Sequence, residues 1–190
     1  MKRDRRGPSR PPPTAGKLRL LRDRLCRGPR ILFVGINPSL RSAALGHHFA
    51  GPGNPFWRLL HASRLVPEPV TFADDVRLPS MGLALTNIVS RPTREAAELA
   101  PVEFTVGGRR LARTIERIQP RVVAFVGVTA YREFFGSGSS GGCGVKRERI
   151  GAARVFVLPN PSGRNAAYPG FGDKLVWYRR LARVAGVEAS

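Results

Sequence analysis

Residues 31–39 read Ile31-Leu32-Phe33-Val34-Gly35-Ile36-Asn37-Pro38-Ser39. The first four form a continuous apolar run, the composition of a strand buried on both faces. The turn after it is stiff, because Pro38 fixes its own φ and pushes Asn37 out of the α region. Apolar runs of this kind recur downstream. Leu83-Ala84-Leu85-Thr86-Asn87-Ile88-Val89 reads as a second strand, residues 121–127 as the clearest and residues 154–158 as the last. Helical segments lie between them. One runs from about Pro55 to Arg64 behind an Asn54 cap. A basic amphipathic one runs from Gly107 to Gln119 with Leu111, Ile115 and Ile118 inward. A short one spans Thr129 to Phe135, and the last spans Asp173 to Val184. Strands alternating with helices predict an α/β fold, a single domain with a mainly parallel central sheet and helices on both faces.

Less regular stretches frame this core. Residues 1–16 are basic and proline-rich, with Pro11-Pro12-Pro13 at their centre, and are expected to be a disordered arm ahead of a domain spanning 17–190. Leu18, Leu20, Leu21 and Leu25 suggest a short helix over 17–28. Residues 136–148 are rich in glycine and serine and then basic, the composition of a flexible excursion.

The chain carries 32 basic and 13 acidic residues, a formal charge of +19. That excess favours a polyanionic partner, with nucleic acid first. No apolar run approaches membrane-span length, and no membrane partner is expected. No signal-peptide core follows the first charges, and Cys26 and Cys143 do not form a disulfide framework. The expectation is an intracellular protein, cytoplasmic or nucleoid-associated in a bacterium and nuclear in a eukaryote. Adjacent His47 and His48, with only His61 besides, make a poor ligand set, so no metal is expected.

In parallel sheets ligands bind beyond the carboxyl ends of the strands. The segments of unusual composition follow the strands at 31–34, 84–88 and 154–158. Residues 35–39 lack the glycine spacing of a phosphate loop. Their distinctive group is the Asn37 amide, which can hold a water or a ligand but has no useful basicity. Phe49 lies in a proline- and glycine-rich loop and could stack on a base, or simply anchor the loop. Asn160-Pro161-Ser162-Gly163-Arg164 is a run of mostly small residues that would permit close approach to a DNA phosphate, or form an ordinary turn.

Together these segments resemble a known family. ILFVGINPSLRSAALGHHFAGPGNPFW, LTNIVSRPT, GGRRL, QPRVVAFVG and VLPNPSGR occur in order over residues 31–184 and are similar to the blocks of the mismatch-specific uracil/thymine DNA glycosylases, within the uracil-DNA glycosylase superfamily. The resemblance implies that Asn37 positions the attacking water. It implies that Ile36 contacts the flipped base through its backbone, that Phe49 stacks on it, and that His48 and Asn87 face it. It places Ser42 and the loop with Asn160, Ser162, Gly163 and Arg164 at the DNA, the loop filling the space the base vacates. Two positions depart from the pattern: Ser39 stands where glycine is usual, and Ser90 where some relatives carry an acid.

The implied activity is hydrolysis of the N-glycosidic bond of uracil, or of thymine or a related lesion, opposite guanine. It would need no cofactor and no lyase lysine, and would be carried out by a monomer on double-stranded DNA. Two alternatives stay open: another branch of the superfamily with a broader substrate range, and a non-catalytic module that binds mismatches. Iron–sulfur branches are disfavoured, since four cysteine ligands are not present.

Overall fold

The computed structural model describes residues 20–136, 138–139, 141–162 and 166–187. The arm expected over residues 1–16 lies outside them. Five strands, β1 (Ile31–Gly35), β2 (Leu83–Asn87), β3 (Val122–Val126), β4 (Gly144–Ile150) and β5 (Ala153–Leu158), form one sheet in the order β2-β1-β3-β5-β4. The first three interfaces are parallel and only β4 runs antiparallel. The helices are α1 (Leu40–Leu45), α2 (Phe56–Ala62), α3 (Pro101–Ile118), α4 (Val128–Phe135) and α5 (Phe171–Val184).

The alternation of side chains along each strand sorts the core into two layers. Ile31, Phe33, Leu83 and Leu85 pack with Phe56, Leu60, Tyr178 and Leu181 from α2 and α5. Leu32, Val34, Ala84 and Val123 pack with Leu111, Ile115 and Tyr131 from α3 and α4. Helices therefore cover both faces, as the alternation of elements predicts. Leu111, Ile115 and Ile118 follow the four- and three-residue spacing that keeps one stripe of α3 on the sheet. Truncating such a residue to alanine costs about 2–5 kcal/mol.

Three segments differ from expectation. Residues 20–28 are not helical: Arg24 pairs with Leu85 through reciprocal backbone bonds of 2.9 and 2.8 Å, on the side of β2 away from β1. That edge offers unpaired backbone groups, which a short amphipathic helix would have left to water. Residues 144–150 are a strand. Val145, Arg147 and Arg149 are exposed on one side, while on the other Glu148 accepts the Tyr131 hydroxyl at 2.8 Å and Lys146 lies over the Tyr131 ring. Helix α3 starts six residues before Gly107, with Pro101 in its first turn and the Ala100 N–H bonded to Glu103 at 2.9 Å. Helix α2 begins at Phe56, whose N–H donates to the Asn54 side chain at 3.0 Å.

Candidate active site

The loops after β1, β2 and β5 meet over the carboxyl ends of the strands and enclose a cavity of about 310 Å³. Ile36, Asn37, Ser42, His48, Phe49, Asn87, Asn160 and Ser162 all line it. Gly163 and Arg164 lie outside the described residues. A larger cavity of about 570 Å³ sits near the opposite end of the sheet, between α3 and the β4–β5 turn. Its walls are largely apolar and hold none of these amides, so the smaller cavity is the chemical candidate.

Asn37 is oriented without ambiguity. Its Nδ2 donates to the Arg91 carbonyl at 2.9 Å and to Thr93 Oγ1 at 2.7 Å. The carbonyl can only accept. The Thr93 hydroxyl proton goes to the Glu95 carbonyl at 2.8 Å, so Oγ1 must accept here too. Both amide protons are therefore used on the loop after β2, and Oδ1 is the remaining acceptor of a side chain that lines the cavity. Among the described residues no carboxylate and no lysine lines this cavity. Ser90 is not among the lining residues.

Phe49 adopts φ 50°, a left-handed conformation that costs a non-glycine residue about 1–2 kcal/mol. Its surroundings hold it there. The ring stacks on buried Phe56 with centroids 4.0 Å apart, and its carbonyl accepts the Trp57 indole N–H at 3.3 Å. One ring face is thus committed to the core, while the residue also borders the cavity. His48 is 2% exposed. Its Nε2 lies 3.1 Å from the Arg22 carbonyl, so Nε2 carries the proton. Burial pushes its pKa below the usual histidine range, and the ring is neutral at pH 7.

Asp75, fully buried, organises this loop. It accepts the His48 N–H at 2.9 Å and the Arg24 Nε–H at 3.0 Å, and lies 3.0 Å from His47 Nδ1. Sequence reasoning missed Asp75 and Thr93. Thr93 closes the LTNIVSRPT block but carried no role there, and no local motif marks Asp75, which lies 51 positions from Arg24.

Asn87 ends β2 opposite Gly35 and is 7% exposed. A Cβ on Gly35 would stand 2.5 Å from Asn87 Oδ1, so the absence of a side chain there is what lets the amide lie against β1. Ser42, expected at the DNA backbone, is 3% exposed. Its Oγ receives the Ala50 N–H at 3.2 Å and the Ser39 hydroxyl at 3.1 Å, which ties α1 to the Phe49 loop. Ser39 caps α1, its Oγ accepting the Ser42 N–H at 3.1 Å. Asn160 Oδ1 accepts the Ser162 N–H at 2.9 Å, shaping the loop after β5 as an Asx turn.

The family model described as the uracil DNA glycosylase superfamily matches residues 23–182. Among solved structures, the solution NMR structure of a candidate uracil DNA glycosylase from Methanosarcina acetivorans aligns with a TM-score of 0.59 at 20% identity. The alignment covers 88% of this chain and 98% of that one. At this identity the likeness concerns the fold.

Proposed function

The chain belongs to the uracil DNA glycosylase superfamily, and on that footing we propose that it removes uracil, and more slowly thymine, mispaired with guanine in double-stranded DNA. The base is inaccessible inside the helix and must be flipped out, at a cost of a few kcal/mol that a mismatch lowers. Phe49 stacks on the extruded base, the Ile36 backbone and Asn87 meet its edge, and His48 closes the pocket beside it. The loop at Asn160 and Ser162, continuing through Gly163 and Arg164, fills the gap in the duplex. The positive charge supplies phosphate affinity. A single copy of the chain is sufficient, since every proposed role falls to one polypeptide.

In the reaction the C1′–N1 bond breaks with its electron pair on the base, water adds at C1′ through its oxygen, and the proton that the added water then sheds goes to the departed base anion, directly or through solvent. An abasic site and a free base result. Asn37 Oδ1 accepts a hydrogen bond from that water and so aims its oxygen at the sugar. It does not deprotonate it. Rate enhancement then comes from positioning and from stabilising the departing base.

The single observation behind this reading is the Asn37 amide. Both its protons are fixed on Arg91 and Thr93, and its oxygen is left as acceptor in a cavity with no carboxylate among the described residues of its wall. Without a base to activate water, the rate must follow leaving-group acidity. Single-turnover excision opposite guanine should fall in the order 5-fluorouracil, uracil, thymine. Thymine removed as fast as 5-fluorouracil contradicts the mechanism. Uracil removed equally well opposite adenine contradicts mismatch selectivity and favours a branch with broader range.

A further inference from the structure

We infer that α3 is the positioning element of this site: Glu103 and Arg110 hold Asn37 and Asn87, respectively, from behind the cavity wall. The inference rests on the roles proposed above for the two asparagines. Glu103 and Arg110 are seven residues apart, two turns, and so share a face of the helix. Neither lines the cavity. Any effect they have on chemistry must pass through residues that do.

The first arm runs from Glu103 to Asn37. The Arg91 guanidinium meets the Glu103 carboxylate side-on, Nε to Oε1 at 2.8 Å and Nη2 to Oε2 at 2.9 Å, and Nη2 also donates to the Glu98 carbonyl at 2.8 Å. The Arg91 carbonyl is one of the two acceptors that fix the Asn37 amide. Glu103 is itself anchored on the first turn of α3 through the Ala100 N–H. The Arg91 bond, with that of Ala100, holds its carboxyl near a pKa of about 2, so the fork is charged on both sides at any working pH. A solvent-facing pair of this kind adds little to overall stability. What it supplies is geometry, because the planar fork permits one arrangement of the loop that carries Arg91 and Thr93.

The second arm runs from Arg110 to Asn87. Arg110 Nη2 donates to the Asn87 carbonyl at 2.6 Å, and Nη1 donates to Asp23 Oδ2 at 3.1 Å. The other oxygen of Asp23 accepts the hydroxyl of Thr86, the neighbour of Asn87, at 2.8 Å. Arg110 and Asp23 thus grip the last two residues of β2 at once. Gly107, between the two arms on α3, brings the helix directly onto the strand end: a Cβ there would stand 2.2 Å from the Ile88 carbonyl oxygen. The two arms share the helix but no hydrogen bond.

They should therefore separate on substitution. Glu103→Gln keeps the shape and weakens the fork. It should slow the maximal single-turnover rate on every base by one common factor of about tenfold or more, since a misplacement near 1 Å costs about 10²-fold. The uracil-to-thymine ratio and the affinity for abasic duplex should stay unchanged. Arg110→Met should instead change the uracil-to-thymine ratio, with partial rescue by Arg110→Lys, which can still donate to the Asn87 carbonyl.

A second readout needs no catalysis. In ¹⁵N-labelled protein the Asn37 side-chain amide signal should move in the Glu103 variant and the Asn87 signal in the Arg110 variant, with no crossover. Amide signals and kinetics unchanged from wild type in both variants would overturn the inference. So would the same uniform loss in both, the signature of a generally loosened helix. If the wild-type protein fails to excise any base, the proposed function falls, while the amide signals still decide the positioning roles.

Discussion

Replacing Gly35 by alanine puts a methyl group into the one place the site has no room for it. The new Cβ would stand 2.5 Å from Asn87 Oδ1, and ordinary contact begins near 3.4 Å, so the amide must retreat by about 0.9 Å. Phe49 Cζ, at 3.8 Å, is already in contact and limits sideways relief. Gly35 does not have a positive φ, so alanine adds no backbone strain and the effect is purely steric. Overpacking of this kind costs about 1–3 kcal/mol of stability. A shift near 1 Å in a group that holds the base costs about 10²-fold in rate.

The assay is single-turnover excision from a G·U duplex at saturating enzyme, alongside thermal melts. Adding Asn87→Ala to Gly35→Ala removes the clashing amide, so stability should recover while excision does not. Two results refute the reasoning. One is a Gly35→Ala rate within threefold of wild type. The other is a double variant no more stable than Gly35→Ala alone, which would place the strain elsewhere.

Other consequences follow from the same contacts. Burial depresses the His48 pKa below 6.5, so the stability tied to its neutral form is fully present above pH 6.5. It is lost as pH falls from there through the lower folded-state pKa, while the unfolded chain takes up the proton. Denaturation midpoints from pH 8 to 5 should fall more steeply for wild type than for His48→Gln, and parallel slopes would contradict this. The Tyr178 hydroxyl is buried and has no hydrogen-bond partner among the described residues. Since an unsatisfied buried group costs about 1–3 kcal/mol, Tyr178→Phe should melt at the same or a higher temperature, and a clear drop would reveal a partner. Residues 1–16 carry five basic side chains against Asp4. Deleting them should weaken duplex binding at low salt and flatten its salt dependence, leaving the saturated excision rate unchanged. An unaltered salt slope would mean the arm does not touch DNA.

The parallel strands were legible because they are buried on both faces, so β1 and β3 are apolar throughout and β5 is broken only by exposed Arg154. Strand β4 was not, since an edge strand protects itself with charge, and Lys146, Arg147, Glu148 and Arg149 hide its period of two. The leucines near residue 20 have helical spacing, but the free edge of β2 offers this segment a better set of backbone partners. The six residues that α3 gains at its start include Val102, Thr105 and Val106, which are weak helix formers. The Pro101 and Glu103 start signals outweigh them.

At the site, the Asn37 loop stood out because strand ends converge in this kind of sheet, Phe49 stood out as an aromatic in a proline- and glycine-rich loop, and Asn87 entered only through the resemblance. The residues that hold them could not be given that role, although Arg91, Thr93 and Arg110 fall inside the matched blocks. Arg110 meets Asp23 across 87 positions and Arg91 meets Glu103 across 12, and such pairs exist only in the folded chain. Ser42, singled out by its place in the motif, lines the cavity, and its oxygen accepts the Ala50 N–H and the Ser39 hydroxyl.

The most direct test of the account compares wild type with Asn37→Ala on one G·U duplex, measuring alkali-labile strand breaks and duplex binding together. Wild type should convert the duplex to an abasic product. The alanine variant should bind the same duplex with similar affinity and yield no product above background. Near-normal excision by Asn37→Ala would contradict the assignment of Asn37 as the residue that aims the water, and no excision by wild type would contradict the proposed function itself.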